Sequence, residues 1–87
     1  MLIDITTFRL ADGVDEATFL AADERVRTGV LYQHAGLVRS TTARGDDGGW
    51  VVVTLWWAEG AGTVALVDTD LGPLMADVDR RQYRTFD

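Results

Sequence analysis

The chain has 87 residues, 47% of them hydrophobic, and a formal charge of −6 from 14 acidic side chains against 8 arginines. This length accommodates one domain, expected over residues 1–87. The acidic balance repels phosphate groups and argues against nucleic-acid binding. Without cysteine there are no disulfides or thiolate metal sites, and a single histidine argues against a transition-metal site. No apolar run reaches the roughly 20 residues that span a bilayer, so we expect a soluble cytoplasmic protein without a membrane partner.

The first two elements are a strand and a long amphipathic helix. Alternating and β-branched residues predict a strand over Leu2–Leu10, in which alternation leaves open which face carries Asp4 and Thr6. Asp15 predicts a helix N-cap, and the helix is expected to run to about Gln33. Its apolar stripe consists of Phe19, Ala22, Val26 and Val30. Off this stripe lie Asp23, Glu24 and Arg27, of which Asp23 and Arg27 are expected to form an ion pair.

The centre of the chain predicts a β-hairpin. Its strands are expected over Leu37–Arg44 and Trp50–Trp57, joined by the glycine-rich loop Gly45–Gly49. The second of these strands is apolar on both faces, which indicates burial on both sides. One face carries Trp50, Val52, Thr54 and Trp56, and the other carries Val51, Val53, Leu55 and Trp57. Because one layer of helices covers only one face, the other face requires a second sheet, and the sequence predicts a homodimer.

The remainder of the chain predicts a short second helix and an edge strand. Thr63–Val67 is expected to form about two helical turns, although glycines precede it and each would cost roughly 1 kcal/mol inside a helix. Pro73 is expected to begin a helical turn through Leu74–Asp77. The fourth strand is expected over Val78–Phe86, with surface charge from Arg80, Arg81 and Arg84. The complete order is βαββαβ.

Three short motifs in this order resemble a known family. They are Gly36-Leu37-Val38, Trp56-x-x-Glu59 and Gln82-Tyr83-Arg84. With them, essentially the whole chain resembles the dimeric α+β barrel superfamily, of the antibiotic biosynthesis monooxygenase-like group. The resemblance implies a ferredoxin-like α+β fold, with a four-stranded antiparallel sheet and both helices on one face. It also implies that two such sheets pack across a two-fold axis into a barrel.

The resemblance also implies where a site would lie. Members of the superfamily include cofactor-independent, quinone-forming monooxygenases, haem-degrading enzymes, lactone isomerases and proteins of no known activity, and their pocket usually lies between the sheet and the helices. The family's strand-three tryptophan maps to Trp56, which would then face the helices while Trp57 lines the barrel. Several oxygenases of the group use an asparagine beside this tryptophan. This chain contains no asparagine, and Val52 stands four residues before Trp56.

Five residues are candidates for a site. Trp56 would form the wall of an aromatic-substrate pocket, or fill the core. His34 would handle a proton, because its unperturbed pKa lies near neutrality, or would cap the end of the helix; haem breakdown would need it as the iron ligand. Tyr83 would donate a hydrogen bond into the same pocket, and Arg39 would hold an anionic oxygen or form an ion pair. Thr54, on the face of Trp56, is a further substrate-binding candidate. No metal-ligand spacing is present.

Two classes of function remain open. The first is an enzyme that acts on an aromatic or polyketide-like small molecule without a metal or organic cofactor, as a monooxygenase-like or isomerase-like catalyst. The second is a non-catalytic homodimeric module that binds a small ligand or serves in assembly. The resemblance favours the first class, whereas the missing asparagine and the short second helix favour the second. The sequence does not decide whether the protein is an enzyme.

Overall fold

The computed structural model describes residues 1–57 and 63–86. Four strands form one antiparallel sheet in the order β2-β3-β1-β4. The strands are β1 Leu2–Leu10, β2 Leu37–Arg44, β3 Trp50–Trp56 and β4 Met75–Arg84. Helix α1, Glu16–Val26, packs on one face of this sheet and continues into a π-helical turn over Arg27–Leu31. The ferredoxin-like α+β fold predicted from the sequence is therefore confirmed.

Alternation and loop chemistry located the first three strands well. The bounds of β1 and β2 agree with the prediction, and β3 ends one residue earlier, at Trp56. The fourth strand begins at Met75, because Met75 and Ala76 already pair with the end of β1. The helical turn predicted through Leu74–Asp77 is therefore wrong, although a 3₁₀ turn over Gly72–Leu74 does hold Pro73 in its first positions.

Helix α1 begins and packs largely as predicted. Asp15 is the N-cap, and its Oδ1 accepts a hydrogen bond from the Thr18 amide at 2.7 Å. This hydrogen bond lowers the pKa of the Asp15 carboxyl. The buried face carries Phe19, Ala22 and Val26, in agreement with the predicted stripe.

The predicted stripe fails at its last position. Val30 is 41% exposed, and Leu31 is buried in its place. The cause is the π-helical turn, in which the Tyr32 amide donates to the Arg27 carbonyl, five residues earlier, at 2.9 Å. A π turn holds one residue more than an α turn, so the buried face moves on by one position after Val26.

Asp23 is also buried, contrary to the prediction that it lies off the packed face. The predicted ion pair is present, with Arg27 Nη2 donating to Asp23 Oδ2 at 2.9 Å. The same carboxylate accepts a hydrogen bond from Thr42 Oγ1 on β2 at 3.0 Å. Arg27 Nη2 also contacts Thr42 Oγ1 at 2.7 Å. This polar triad therefore links α1 to the sheet and supplies the partners that a buried carboxylate needs.

The second helix predicted over Thr63–Val67 is wrong. Ala65 is extended, with φ −80° and ψ 125°, and only a 3₁₀ turn forms over Leu66–Asp68. Thr69 explains where this turn ends: both its amide and its Oγ1 donate to the Leu66 carbonyl, at 3.0 and 2.5 Å. A carbonyl occupied in this way does not support a continuing helix. Residues 58–62, which include Glu59 of the family motif and two of the glycines, lie outside the described residues.

The two faces of the sheet differ sharply in burial. On β3, the side chains of Trp50, Val52, Thr54 and Trp56 are buried under α1. Phe8, Phe19 and Trp50 form an aromatic cluster there, with ring centroids 5.1 to 6.4 Å apart. On the opposite face, which we call the open face, Val51, Val53 and Leu55 are half-buried. Just beyond β3, Trp57 is 61% exposed. No helix among the described residues is long and apolar enough to cross a membrane.

Candidate functional site

A strip of buried polar side chains crosses the helix-facing side of the sheet. Its members are Asp4, Thr6, Ser40 and Thr54, all of which are buried. Ser40 on β2 lies opposite Thr54 on β3, and Thr54 lies opposite Asp4 on β1. Alternation left the face of Asp4 and Thr6 open, and the register places both residues on the helix side. We call these four residues the polar strip; it lies immediately beside Trp56.

One end of the polar strip is neutralised by an ion pair. Arg80 Nε lies 2.9 Å from both carboxylate oxygens of Asp4, and Nη2 lies 2.5 Å from Oδ2. Nη2 also donates to Thr63 Oγ1 at 2.9 Å. Hydrogen bonding to Asp4 raises the pKa of Arg80 above its ordinary value. Arg80 is exposed, as predicted, but its guanidinium is also the partner of a carboxylate that is only 2% exposed.

At the other end of the helix-facing side, His34 contacts Trp56. The two ring centroids are 4.9 Å apart, and the rings meet edge to face at 79°. His34 Nδ1 accepts a hydrogen bond from the Gly36 amide at 3.0 Å. A neutral imidazole whose Nδ1 is an acceptor carries its proton on Nε2. His34 therefore presents an N–H donor, and it also stabilises the turn between the π-helical segment and β2.

The buried layer between α1 and the sheet has unpartnered polar atoms. Trp56 is fully buried, yet its indole Nε1 has no hydrogen-bond partner among the described residues. The same is true of Ser40 Oγ and Arg27 Nε. Thr54 differs, because its hydroxyl donates to the Asp4 backbone carbonyl at 3.4 Å. Two unpartnered groups, Ser40 Oγ and Trp56 Nε1, thus lie on the same face of two neighbouring strands, and the imidazole of His34 contacts Trp56 from the turn that precedes β2.

Arg39 and Tyr83 belong to the other side of the sheet. Arg39 lines a concavity of about 380 Å³ on the open face, together with Ile3, Thr41, Val53 and Leu55. Tyr83 pairs with Ile3 across β1 and β4 and is 49% exposed. Within one protomer the structure therefore brings together His34, Thr54 and Trp56, and it places Arg39 and Tyr83 on the opposite face. The expectation that Tyr83 points into the same pocket as Trp56 fails because the register turns its side chain away.

Ser40 is the residue of this site that the sequence analysis missed. The sequence offers little indication of its burial, because a serine in a strand of arginines and threonines is typical of a solvent-exposed position. A bulge at Val38 shifts the pairing between Leu37 and Arg39, and it helps to set which residues of β2 face the helix. Across residues 1–57 and 63–86, no group of three or more histidine, cysteine or acidic side chains is placed to hold a metal ion.

Comparison with known proteins identifies the fold. No protein-family profile matches the sequence, and no curated protein matches it. SnoaB, a cofactor-independent oxygenase from Streptomyces nogalater whose structure is of an asparagine-to-alanine mutant, is similar with a TM-score of 0.77. Its identity is 15%, over 99% of this chain and 93% of that chain. A candidate antibiotic biosynthesis monooxygenase from Nitrosomonas europaea has a TM-score of 0.75 and 15% identity, over 100% of both chains.

A haem-type ligand occurs in a third similar structure. MhuD, as an arginine-to-serine mutant with two manganese protoporphyrin IX molecules bound per active site, has a TM-score of 0.61 and 16% identity. The match covers 98% of this chain and 94% of that chain. At these identities the similarity is one of fold, and proteins that share a fold differ widely in chemistry.

Proposed function

Since the chain has the fold of the antibiotic biosynthesis monooxygenase-like proteins of the dimeric α+β barrel superfamily, we propose that it is a cofactor-independent, monooxygenase-like enzyme. Its substrate would be an aromatic or polyketide-like small molecule that carries a hydroxyl group. The observation that supports this proposal most is the contact between His34 and Trp56, where the indole N–H is buried without a partner in the described residues. Such a combination suits a flat ring that carries an oxygen atom.

Each residue near this contact has a proposed role. Trp56 forms the wall against which a planar ring packs, and Thr54 lies beside it on the same strand face. His34 acts through Nε2–H, because Nδ1 is already occupied by the Gly36 amide. This makes His34 a donor to a substrate phenolate rather than the base that removes its proton. A donor aimed at an oxygen anion in a dry site stabilises the electron-rich form that reacts with oxygen.

The chemistry proposed for the substrate balances without a cofactor. A hydroxyarene reacts with O₂ to give a quinone and water; the ring carbon loses its C–H bond and gains a carbonyl oxygen. One atom of O₂ becomes this carbonyl, and the other leaves as water with the two hydrogens that the substrate loses. The substrate anion supplies the electrons that reduce O₂. The protein contributes positioning, exclusion of water and the Nε2–H donor.

We further propose that two copies of the chain form a homodimer through their open faces. Ile3, Val53 and Leu55 line an apolar concavity there, and Trp57 is strongly exposed beside it. Apolar surface of this kind, on a protein this small, is stabilised when a second copy covers it. Arg39 and Tyr83 lie on this face, so we propose that they act, if they contact substrate, from the interface between protomers. The cytoplasmic location stays a prediction.

The dimer is tested by sedimentation of the wild-type protein at micromolar concentration. Val53→Arg places a charge at the centre of the open face and is expected to give a folded monomer or a much weaker dimer. Val67→Arg adds the same charge at an exposed position on the 3₁₀ turn, away from the sheet, and should leave the dimer intact. A wild-type protein that sediments as a folded monomer contradicts the proposal.

The enzyme is tested by oxygen consumption. Purified protein is incubated with naphthol and hydroxylated anthracyclic substrates, while dissolved oxygen and quinone absorbance are followed together. His34→Phe, which keeps a flat ring but has no N–H group, and Trp56→Phe are each expected to lower turnover at least tenfold, because removing one positioned donor costs about 10²–10³-fold in rate. Turnover that is absent in the wild type, or unchanged in both variants, refutes the proposed activity at this site.

A second function is favoured by a different observation. Val52, which is buried, stands where the resemblance implies an asparagine, and the chain contains no asparagine elsewhere. The alternative is a non-catalytic dimeric module that binds a small aromatic ligand on the same aromatic wall. It predicts saturable binding of naphthol-type compounds, reduced by Trp56→Phe, with no consumption of oxygen. Loss of a measured turnover in His34→Phe, in a variant that remains a folded dimer, would exclude it.

A further inference from the structure

The buried layer between α1 and the sheet contains side-chain hydrogen-bond donors that have no partner among the described residues. Its unpartnered side-chain atoms, in the part of the chain that the structure describes, are Arg27 Nε, Ser40 Oγ and Trp56 Nε1. Each of these atoms can donate a hydrogen, and two of them can do nothing else. Buried polar groups are nearly always partnered in folded proteins. The missing partner is therefore an acceptor.

The carboxylate acceptors of the layer are already in use. The Asp4 carboxylate receives three short contacts from Arg80, and the Asp23 carboxylate receives hydrogen bonds from Arg27 and Thr42. The Thr54 hydroxyl lies against the Asp4 carbonyl. Redirecting either carboxylate to an unpartnered donor would thus break one hydrogen bond to make another. A ligand oxygen satisfies the unpartnered donors without this loss.

Two of the three donors are close neighbours on the sheet. Ser40 lies opposite Thr54, and Trp56 follows Thr54 by two residues on the same face of β3. Diagonal neighbours of this kind have Cβ atoms about 7–8 Å apart or less, which is within reach of a long aromatic side chain. Val52 supplies no donor at the position where the resemblance implies an asparagine. Ser40 offers one from the adjacent strand.

We propose that the Ser40 hydroxyl and the Trp56 indole N–H form a two-donor site for a carbonyl or phenolate oxygen of a flat aromatic ligand. Ser40 is then a positioning residue that selects oxygenated rings over bare ones. The inference rests on the small-molecule site of the proposed function. It extends that function by assigning Ser40 a role and by defining the acceptor that the ligand must carry.

The test is a binding experiment by NMR on ¹⁵N-labelled protein, with the Trp56 indole signal assigned from Trp56→Phe. The probes are 1,4-naphthoquinone, which carries carbonyl acceptors, and naphthalene, which does not. The chain has neither cysteine nor lysine side chains to react with the quinone. Naphthoquinone is expected to move the Trp56 indole proton downfield, and naphthalene is expected to leave it near its free position.

Ser40→Ala should weaken naphthoquinone binding about fivefold, equivalent to about 1 kcal/mol, and leave naphthalene binding unchanged. Ser40→Thr retains the hydroxyl and should bind the quinone like the wild type. Because naphthalene binding reports an intact site, a misfolded variant is recognised by its loss. Thr41→Val removes a hydroxyl group from the concavity on the open face and serves as the control, and its quinone affinity should be that of the wild type.

The proposal is overturned if Ser40→Ala binds the quinone as tightly as the wild type, or if the Trp56 indole signal does not move. Either result means that internal water or the protein itself satisfies the two donors. A quinone affinity that falls in Thr41→Val but not in Ser40→Ala also overturns it, because the ligand then lies on the open face. Ser40-dependent binding without oxygen consumption supports the inference while refuting the enzyme, so the two failures are distinguishable.

Discussion

The ion pair between Asp4 and Arg80 permits a test of how the polar strip is stabilised. The Asp4 side chain is 2% exposed, whereas that of Arg80 is 31% exposed. Arg80→Ala would leave a buried carboxylate without its cationic partner. Asp4→Asn would instead leave a guanidinium at the edge of the sheet, where water reaches it. The two substitutions should therefore have unequal effects, although they break the same interaction.

Removing one partner of a fully buried pair costs about 3–5 kcal/mol. Because Arg80 is partly exposed, its truncation admits some water to Asp4, and we expect the free energy of unfolding to fall by about 2–3 kcal/mol. For a domain of this size each kcal/mol lowers the melting temperature by about 4–8 °C, so the expected shift is about 8–24 °C. Asp4→Asn should cost about 1–2 kcal/mol, since an amide oxygen still accepts from Arg80.

The measurement is urea unfolding followed by tryptophan fluorescence, at one fixed protein concentration because the proposed dimer would make the apparent stability depend on concentration. Arg44→Ala is the matched control; its ion pair with Glu16, at 2.6 Å, is solvent-exposed on both sides and worth less than about 1 kcal/mol. The double variant Asp4→Asn, Arg80→Ala gives the coupling energy. If Arg80→Ala costs no more than Arg44→Ala or Asp4→Asn, burial of the carboxylate is not what makes Arg80 important.

Two further predictions concern local structure. Gly72→Ala would place a Cβ only 2.2 Å from the Val67 carbonyl oxygen, a backbone atom that cannot rotate away, and should destabilise the fold by about 1–3 kcal/mol in the same urea assay; a neutral result would mean that the 3₁₀ segment relaxes freely. The lowered pKa of Asp15 means that its cap is intact above pH 3.8 and is lost as the pH falls below that value towards the pKa of the folded state. Asp15→Ser should therefore reduce the loss of stability between pH 5 and pH 3, and an unchanged pH profile would contradict this.

The sequence predicted the elements whose signals are local. Strands β1 to β3 follow from alternation, turn glycines and β-branched residues, and the capping residue Asp15 marks the helix start. The π-helical turn was not predictable in this way. Residue propensities do not distinguish a five-residue hydrogen-bonded step from a four-residue one, so Val30 was placed inside and Leu31 was not.

The site was less predictable because its partners are distant in the chain. Asp4 and Arg80 are 76 positions apart, and only the pairing of β1 with β4 brings them together. The face of the sheet on which Tyr83 lies was not predictable for the same reason. It depends on the pairing of β4 with β1, which includes a bulge between Asp79 and Ala76. Trp56 and His34 were predicted because an aromatic ring suits the binding of a planar substrate and an imidazole suits proton transfer. Ser40 was not predicted, because its proposed role depends on a buried hydroxyl group without a partner, which the sequence does not reveal.

The two edge strands of the sheet limit how copies of this chain can associate. The outer strands are β2 and β4, and each is interrupted by a bulge; on β4 the backbone at Asp77 takes a positive φ of 52°. Arg39 and Arg44 lie on one outer strand and Arg81 on the other. Kinked and charged borders of this kind resist the addition of a foreign strand. Growth by strand addition into an open-ended filament is therefore disfavoured, and the proposed dimer, in which two open faces meet, would be closed by its two-fold axis.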